Sequence, residues 1–228
     1  ASRAMNADVV LSAGWLAFAR HIGFLEALDH TGVEVDAVVG TSSGSLVGAL
    51  WAAGLSPDAI QAEVLATRPI ASLRPSWRPI TGLCSMRGVM KRLRRHLPER
   101  IEDLERPFAV GVASVRKQGA LLTEGPLVEA VAASCAVPGL FAPVNVEGRW
   151  WLDGGWVDRT AADDWRRWRP GRTGFVHLIE PSVGTAESPA DVTVVRSAPS
   201  GARLWSLGDV GAQRREAREH TLAVLDAR

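Results

Sequence analysis

The chain has 228 residues, with 26 Lys and Arg against 25 Asp and Glu, a formal net charge of +1. That balance argues against nucleic acid as a partner, and 46% apolar residues suffice for a sizeable core in one globular domain spanning 1–228. The two cysteines, Cys84 and Cys135, supply no disulfide framework and point to a reducing compartment.

No apolar run at the start resembles a signal peptide. The longest uncharged apolar segment, Leu46 to Leu55, falls short of the roughly 20 apolar residues a membrane span needs. The expected location is cytoplasmic, with room for peripheral membrane contact.

Asp8 to Ser12 reads as a short buried strand. Leu16 to Leu28 follows as a helix, with Phe18, Ile22, Leu25 and Leu28 on one stripe and Gly32 in the C-cap role. Val35 to Val39 is a second strand. Two short strands flanking such a helix imply parallel pairing with a right-handed crossover. Gly40-Thr41-Ser42-Ser43-Gly44 then turns into an apolar helix, Leu46 to Leu55. Ser56-Pro57 starts another helix, to Thr67, with proline at its first position.

Arg68 to Thr81 carries Pro69, Pro75 and Pro79 and reads as a loop or lid. Met86 to Pro98 reads as a basic amphipathic helix: Val89, Leu93 and Leu97 on one face, Lys91, Arg92, Arg94 and Arg95 carrying charge. It is either a solvated helix face or a contact for anionic lipid headgroups. Phe108 to Ser114 is a strand, with Ala120 to Thr123 as its hairpin partner. Pro126 opens a helix to Ser134, and Val144 to Trp151 forms a strand pair around Glu147-Gly148. Leu152-Asp153-Gly154-Gly155 puts a carboxylate at a strand end. A short helix over Thr160 to Trp168 leads to a last core strand, Phe175 to Ile179. Glu180 to Gly201 reads as irregular apart from Val192 to Val195, and Asp209 to Ala227 as a closing helix with an apolar face at Leu222 and Leu225. No repeat or linker divides the chain. The fold class expected is α/β: a mostly parallel central sheet with helices on both faces.

The strand–turn–helix around Ser42 gives the G-x-S-x-G pattern a meaning. Small flanking residues let the serine sit on a strained elbow with its hydroxyl exposed, at the positive end of a helix. Ser43 and Ser45 are competing hydroxyls, and an ordinary Ser/Gly turn is the plainer reading. A serine nucleophile needs a base. Of His21, His30, His96, His177 and His220, only His177 lies on a candidate core strand, where a lone histidine is more often structural. Asp153 is the better candidate: burial among Trp150, Trp151 and Trp156 would raise its pKa. An Asp-Gly turn is the alternative.

The chain resembles the patatin-like phospholipases. Four separated segments carry the likeness in order: His21 to Leu28, Gly40-Thr41-Ser42-Ser43-Gly44-Ser45, Ala133 to Phe141, and Gly148 to Gly155. The resemblance covers Asp8 to Asp158. It implies a Ser–Asp dyad with Ser42 as nucleophile and Asp153 as base, hydrolysing acyl esters, usually of lipids, through an acyl-enzyme without cofactor or metal. The family's oxyanion loop, of Gly-Gly-Gly-x-Arg-Gly type, is here Ala13-Gly14-Trp15-Leu16-Ala17-Phe18, with one glycine and Ala17 at the arginine position. Backbone N–H groups of Gly14, Trp15 and Ser43 are the expected oxyanion donors. Trp15 in a left-handed conformation would be strained by about 1–3 kcal/mol. Trp15, Phe18 and Pro138 are the expected pocket walls. After Asp158, Arg159-Thr160-Ala161 stands where the family often has Asn and Pro. The altered loop keeps three rivals open. One is an acyltransferase or biosynthetic enzyme acting on a non-lipid acyl group with the same dyad. Another is a non-catalytic lipid-binding protein. The third, a Ser–His–Asp hydrolase, ranks last, because only two strands precede Ser42.

Overall fold

The computed structural model describes residues 6–76, 82–180 and 192–227. The chain opens with β1 (Asn6–Leu11), α1 (Phe18–Thr31), β2 (Glu34–Thr41), α2 (Ser43–Ala52) and α3 (Pro57–Leu65). Gly32 ends α1 with φ 69°, donating to the Asp29 carbonyl. Ser56 caps α3 through its side chain, with Pro57 at the first position as the sequence predicts. Then come β3 (Arg74–Pro75), β4 (Gly82–Ser85), α4 (Arg87–Leu93), β5 (Phe108–Ser114), β6 (Gly119–Leu122) and α5 (Leu127–Ser134). The chain continues through β7 (Gly139–Phe141), β8 (Val144–Val146), β9 (Arg149–Asp153), α6 (Ala162–Trp168), β10 (Gly174–Ile179), β11 (Thr193–Ser197) and α7 (Val210–Asp226).

The main sheet runs β11-β10-β1-β2-β5-β9-β8, with β6 also on β5. From β11 to β5 every pairing is parallel, and β6, β8 and β9 join antiparallel. The alternation of the strands divides the core. Val9, Leu11 and Val38 face the larger cluster, with Phe24 of α1, Leu50 of α2 and Val131 of α5. Val10, Val39, Ala109 and Val176 face the other side, against Trp165 of α6. Helices therefore cover both faces. Trp165 is fully buried and donates its indole N–H to Asp8 Oδ2 at 2.9 Å, while Arg169 neutralises the same buried carboxylate.

The edges of β5 decide how the site is assembled. β6 pairs with Val110 to Ala113, overlapping the stretches held by β2 (Phe108 to Gly111) and β9 (Val112 to Ser114). So β6 takes one edge, and β2 and β9 share the other. They approach from opposite directions, one parallel and one antiparallel, and their C-terminal ends meet.

Three sequence expectations change. Phe175 to Ile179 is not the last core strand: the β-branched run 193–197 extends the sheet as β11, because its fully buried neighbour β10 offers it an open parallel edge. The basic helix is shorter than predicted, ending at Leu93, and the chain turns on to Leu97. Three of its four predicted cations are engaged within the chain, Arg92 and Arg95 on Glu63 and Arg94 on Glu129. In α7 the buried positions are Gln213, Ala217 and Thr221, not Leu222. Small residues there match Gly23 of α1, where a Cβ would run into the Arg214 carbonyl. Part of the predicted Arg68 to Thr81 loop, 77–81, and of the irregular stretch, 181–191, lies outside the described residues; 69–72 is a 3-10 turn. Among the described residues no helix is long and apolar enough to cross a membrane.

Candidate active site

Ser42 occupies the turn between β2 and α2 with φ 53° and ψ −121°, a region that is costly for any residue with a side chain. What surrounds it explains why its neighbours are small. A Cβ on Gly40 would press into Ser45, and one on Gly44 into the Leu11 carbonyl of β1. The turn is then pinned. Ser42 N–H donates to Ser134 Oγ at 2.8 Å, and Ser134 in turn donates to the Gly111 carbonyl of β5. The Ser42 carbonyl accepts from Ser45 Oγ and from the Cys135 thiol. Ser45, a competing hydroxyl in the sequence, is thus spent on the elbow backbone. Ser43 is buried with its hydroxyl unpaired among the described residues.

Ser42 Oγ donates to Asp153 Oδ2 at 2.6 Å. Asp153 ends β9 and is 5% exposed. Its other oxygen accepts the Gly155 N–H at 2.8 Å, and its own N–H donates to the Ala136 carbonyl. The glycines after it are sterically required: a Cβ on Gly154 would meet the Gly111 carbonyl and one on Gly155 the Ala13 side chain. Burial pushes the Asp153 carboxyl up to about 6, and the bonds from Ser42 and Gly155 and the positive charge of Arg159 hold it from rising further. A carboxylate with that pKa accepts a proton more readily than an ordinary aspartate does.

No histidine competes for this place. His177 uses one ring nitrogen on His21 Nδ1 at 2.9 Å and the other on Ser197 Oγ at 3.0 Å, and stacks on Phe24. Both imidazoles are buried and depressed by desolvation, His21 to about 3 and His177 well below 6.5.

The oxyanion loop differs in detail from its sequence expectation. The left-handed residue is Leu16, φ 47°, not Trp15. It sits at the third position of a turn closed by Ala17 N–H on the Gly14 carbonyl, where type II geometry demands positive φ. Three loop carbonyls are occupied: Ala13 by Arg159, Gly14 by Ala17, Trp15 by Ser200. No described residue accepts from the N–H groups of Gly14 or Trp15. These groups and the first-turn N–H of Ser43 are therefore free to meet an anion.

Gly14, Ser42 and Ser43 open on an apolar cavity of about 140 Å³. Trp15 and Phe18 line it. On the far segment Val137 and Phe141 do so, rather than Pro138, which lies inside the tight turn closed by Leu140 N–H on the Val137 carbonyl. Leu204 and Leu207, ahead of α7, complete the wall together with Leu46, Leu50 and Val64. Sequence reasoning missed Ser134, Arg159, Leu204 and Leu207. The one signal available was the departure at Arg159-Thr160-Ala161. Among the described residues no group of three or more His, Cys, Asp or Glu could hold a metal ion.

A family model described as patatin-like phospholipase matches residues 9–164. An uncharacterised NTE family protein of Mycobacterium tuberculosis is 34% identical over 141 residues, covering 60% of this chain and 39% of that protein. A protein named lysophospholipase NTE1 from Pyricularia oryzae is 32% identical over 163 residues, 67% of this chain and 11% of its own length. The chain therefore spans well under half of these relatives. Among solved structures, VipD of Legionella pneumophila superposes with a TM-score of 0.61 at 14% identity, over 97% of this chain and 67% of that one. The complex of SpcU with ExoU from Pseudomonas aeruginosa gives 0.54 at 14% identity, over 99% and 53%. At such identities these two establish the fold alone.

Proposed function

Because the chain belongs to the patatin-like phospholipase family, we propose that it is a serine acyl hydrolase working through a Ser42–Asp153 dyad. The observation that carries this reading is the 2.6 Å hydrogen bond from Ser42 Oγ to a buried carboxylate, at a strained elbow opening on an apolar cavity. Asp153 Oδ2 takes the Ser42 proton as Oγ attacks the acyl carbonyl carbon. The N–H groups of Gly14, Trp15 and Ser43 hold the resulting oxyanion. Collapse breaks the ester C–O bond, and Asp153 returns the proton to the departing alcohol. Water then gives a proton to Asp153, attacks the acyl-enzyme and releases the acid, restoring Ser42.

The substrate class follows from the cavity. An apolar cavity of about 150 Å³ holds a molecule the size of benzene, so a space of about 140 Å³ takes one short acyl segment, not two chains. Short single-chain esters fit it, and the name of the Pyricularia oryzae relative, not the cavity, suggests lysophospholipids. The proposed place of action is the cytoplasm or a membrane surface. Incubation with a fluorophosphonate, followed by mass-spectrometric mapping, tests the reading. The expected adduct is on Ser42 and disappears in Ser42→Ala; an adduct on another serine, or none, overturns it.

A further inference from the structure

Arg159 is 3% exposed, its guanidinium has no ion pair among the described residues, and its Nη1 has no hydrogen-bond partner there. Burying such a cation is costly unless it does something a smaller polar group would not. Its Nη2 donates to two carbonyls, Ala13 at 2.8 Å and Ile179 at 2.9 Å. Its own backbone carbonyl accepts the Ala13 N–H at 2.7 Å. One residue thus holds both polar groups of Ala13, the first residue of the oxyanion loop.

The peptide unit makes that contact consequential. The Ala13 carbonyl and the Gly14 N–H belong to one planar trans amide, so they point in opposite directions. Fixing the carbonyl on the Arg159 side fixes the N–H on the other. Gly14 lines the cavity beside Ser42, and no described residue accepts its N–H. If the peptide flipped, the carbonyl would replace the donor and repel an oxyanion. Little else prevents the flip. Ser12 Oγ adds a longer bond of 3.2 Å to the same carbonyl, but that hydroxyl also accepts the Ile179 N–H. The loop lacks the run of glycines that would set its course by conformation.

We infer that Arg159 is a positioning residue: by anchoring the Ala13 carbonyl it aims the Gly14 N–H at the oxyanion. The inference rests on the reading of Ser42 as the nucleophile. It accounts for a cation at a position where the resemblance predicts Asn. Arg159 has a second effect at the same site, because its charge holds down the Asp153 carboxyl. The ionisable neighbours of Asp153 are Arg159 and the buried Cys135 thiol, which burial keeps neutral.

The test compares Arg159→Met and Arg159→Lys with the unmodified protein. Hydrolysis of a short p-nitrophenyl ester and the NMR signal and hydrogen exchange of the Gly14 amide are measured for each. Arg159→Met is expected to lower kcat by about 10²-fold, the loss of one oxyanion donor, with KM nearly unchanged. Its acid limb should move to higher pH, and its Gly14 amide should shift while neighbouring strand amides do not. Arg159→Lys, whose ammonium can still donate to both carbonyls, should recover most of the rate. A folded Arg159→Met with unaltered kcat and an unaltered Gly14 amide overturns the inference, as does a Lys variant no better than Met. Should the Met variant fail to fold, Arg159→Gln, with one donor for the Ala13 carbonyl, takes its place under the same two criteria. Absence of ester turnover in the unmodified protein would overturn the hydrolase reading instead, and the Gly14 amide would still decide the positioning.

Discussion

Thr41 and Asp153 face consecutive residues of β5, Gly111 and Val112, although they end strands that run in opposite directions. The next residue after Thr41 is Ser42, so its hydrogen bond to Asp153 spans the seam where two strands share one edge. Ser42 and Asp153 are separated by 111 positions in the chain and held together by one strand. The site is thus as rigid as the sheet.

On the proposed reading, Asp153→Asn lowers kcat by about 10²–10⁴-fold, the usual contribution of a general base. The expected pH profile of the unmodified protein rises through about pH 6 and levels above it, since Asp153 must be ionised. A flat profile between pH 5 and 7, measured on a short ester, would contradict this.

Asp153 also carries a stability consequence of opposite sign to its catalytic one. Its folded pKa lies above the ordinary value of 3.8, so the folded state holds this proton more tightly than the unfolded chain. Stability then falls as pH rises from about 4 to 6, and the ionised carboxylate costs the fold about 3 kcal/mol above that window. Asparagine can keep both hydrogen bonds without the charge. Asp153→Asn should therefore be more stable than the unmodified protein at pH 8 and lose that advantage near pH 4, in urea titrations at each pH.

The His21–His177 pair acts in the acid direction. Both folded pKa values lie below 6.5, so the unfolded chain takes up protons that the folded one refuses. The contribution of His21 is complete above about pH 6.5 and is lost as pH falls toward 3, at about 1.4 kcal/mol per pH unit, and that of His177 is lost in the same direction. His21→Gln should reduce the acid dependence of unfolding by about one proton between pH 6 and 4. An unchanged proton count would mean that the imidazole already titrates in the native state.

Glu63 is the hub for Arg92, Arg95 and His96, and its side chain is 14% exposed. Removing the charge strands Arg92 at the cavity wall. Glu63→Gln is expected to destabilise by about 1–3 kcal/mol. It should also increase sedimentation with anionic vesicles, because cations now engaged inside the chain become available. The unmodified protein should bind such vesicles weakly; strong, salt-sensitive binding would mean the ion pairs yield to lipid.

Trp15 is 40% exposed and lines the cavity. With its carbonyl held by Ser200 and its φ outside the left-handed region, the loop does not depend on its side chain. Trp15→Ala should raise kcat/KM for long acyl esters relative to butyrate esters, in a chain-length series. A parallel change at every length would place Trp15 in the reaction itself.

The elbow and the strand-ending aspartate were legible because each is a local pattern with a local steric cause: Gly40 and Gly44 beside Ser42, Gly154 and Gly155 beside Asp153. Trp15 and Phe18 were legible as walls by their closeness in sequence to Gly14. Arg159 was not, because its partners Ala13 and Ile179 lie 146 and 20 positions away and no periodicity announces such a bond. Sequence reasoning weighed left-handed strain at Trp15, and the structure has it at Leu16, since a turn's register depends on which N–H closes it. β11 was missed because five β-branched or polar residues form a strand only where a neighbouring edge is open. The basic stripe after Met86 suggested a surface for lipid, and only the folded chain brings Glu63 and Glu129 against it.

Leu204, Leu207 and Ser200 all follow residue 164, where the family match ends, yet they build the cavity wall and hold the loop turn. On the proposed reading the reacting groups lie inside the matched segment, while part of the wall that would receive the acyl group lies outside it. Substitution in 198–209 can retune which acids are released while Ser42 and Asp153 stay untouched. Members that share the elbow and the Asp-Gly-Gly segment with this protein can thus be expected to differ in diet more than in chemistry.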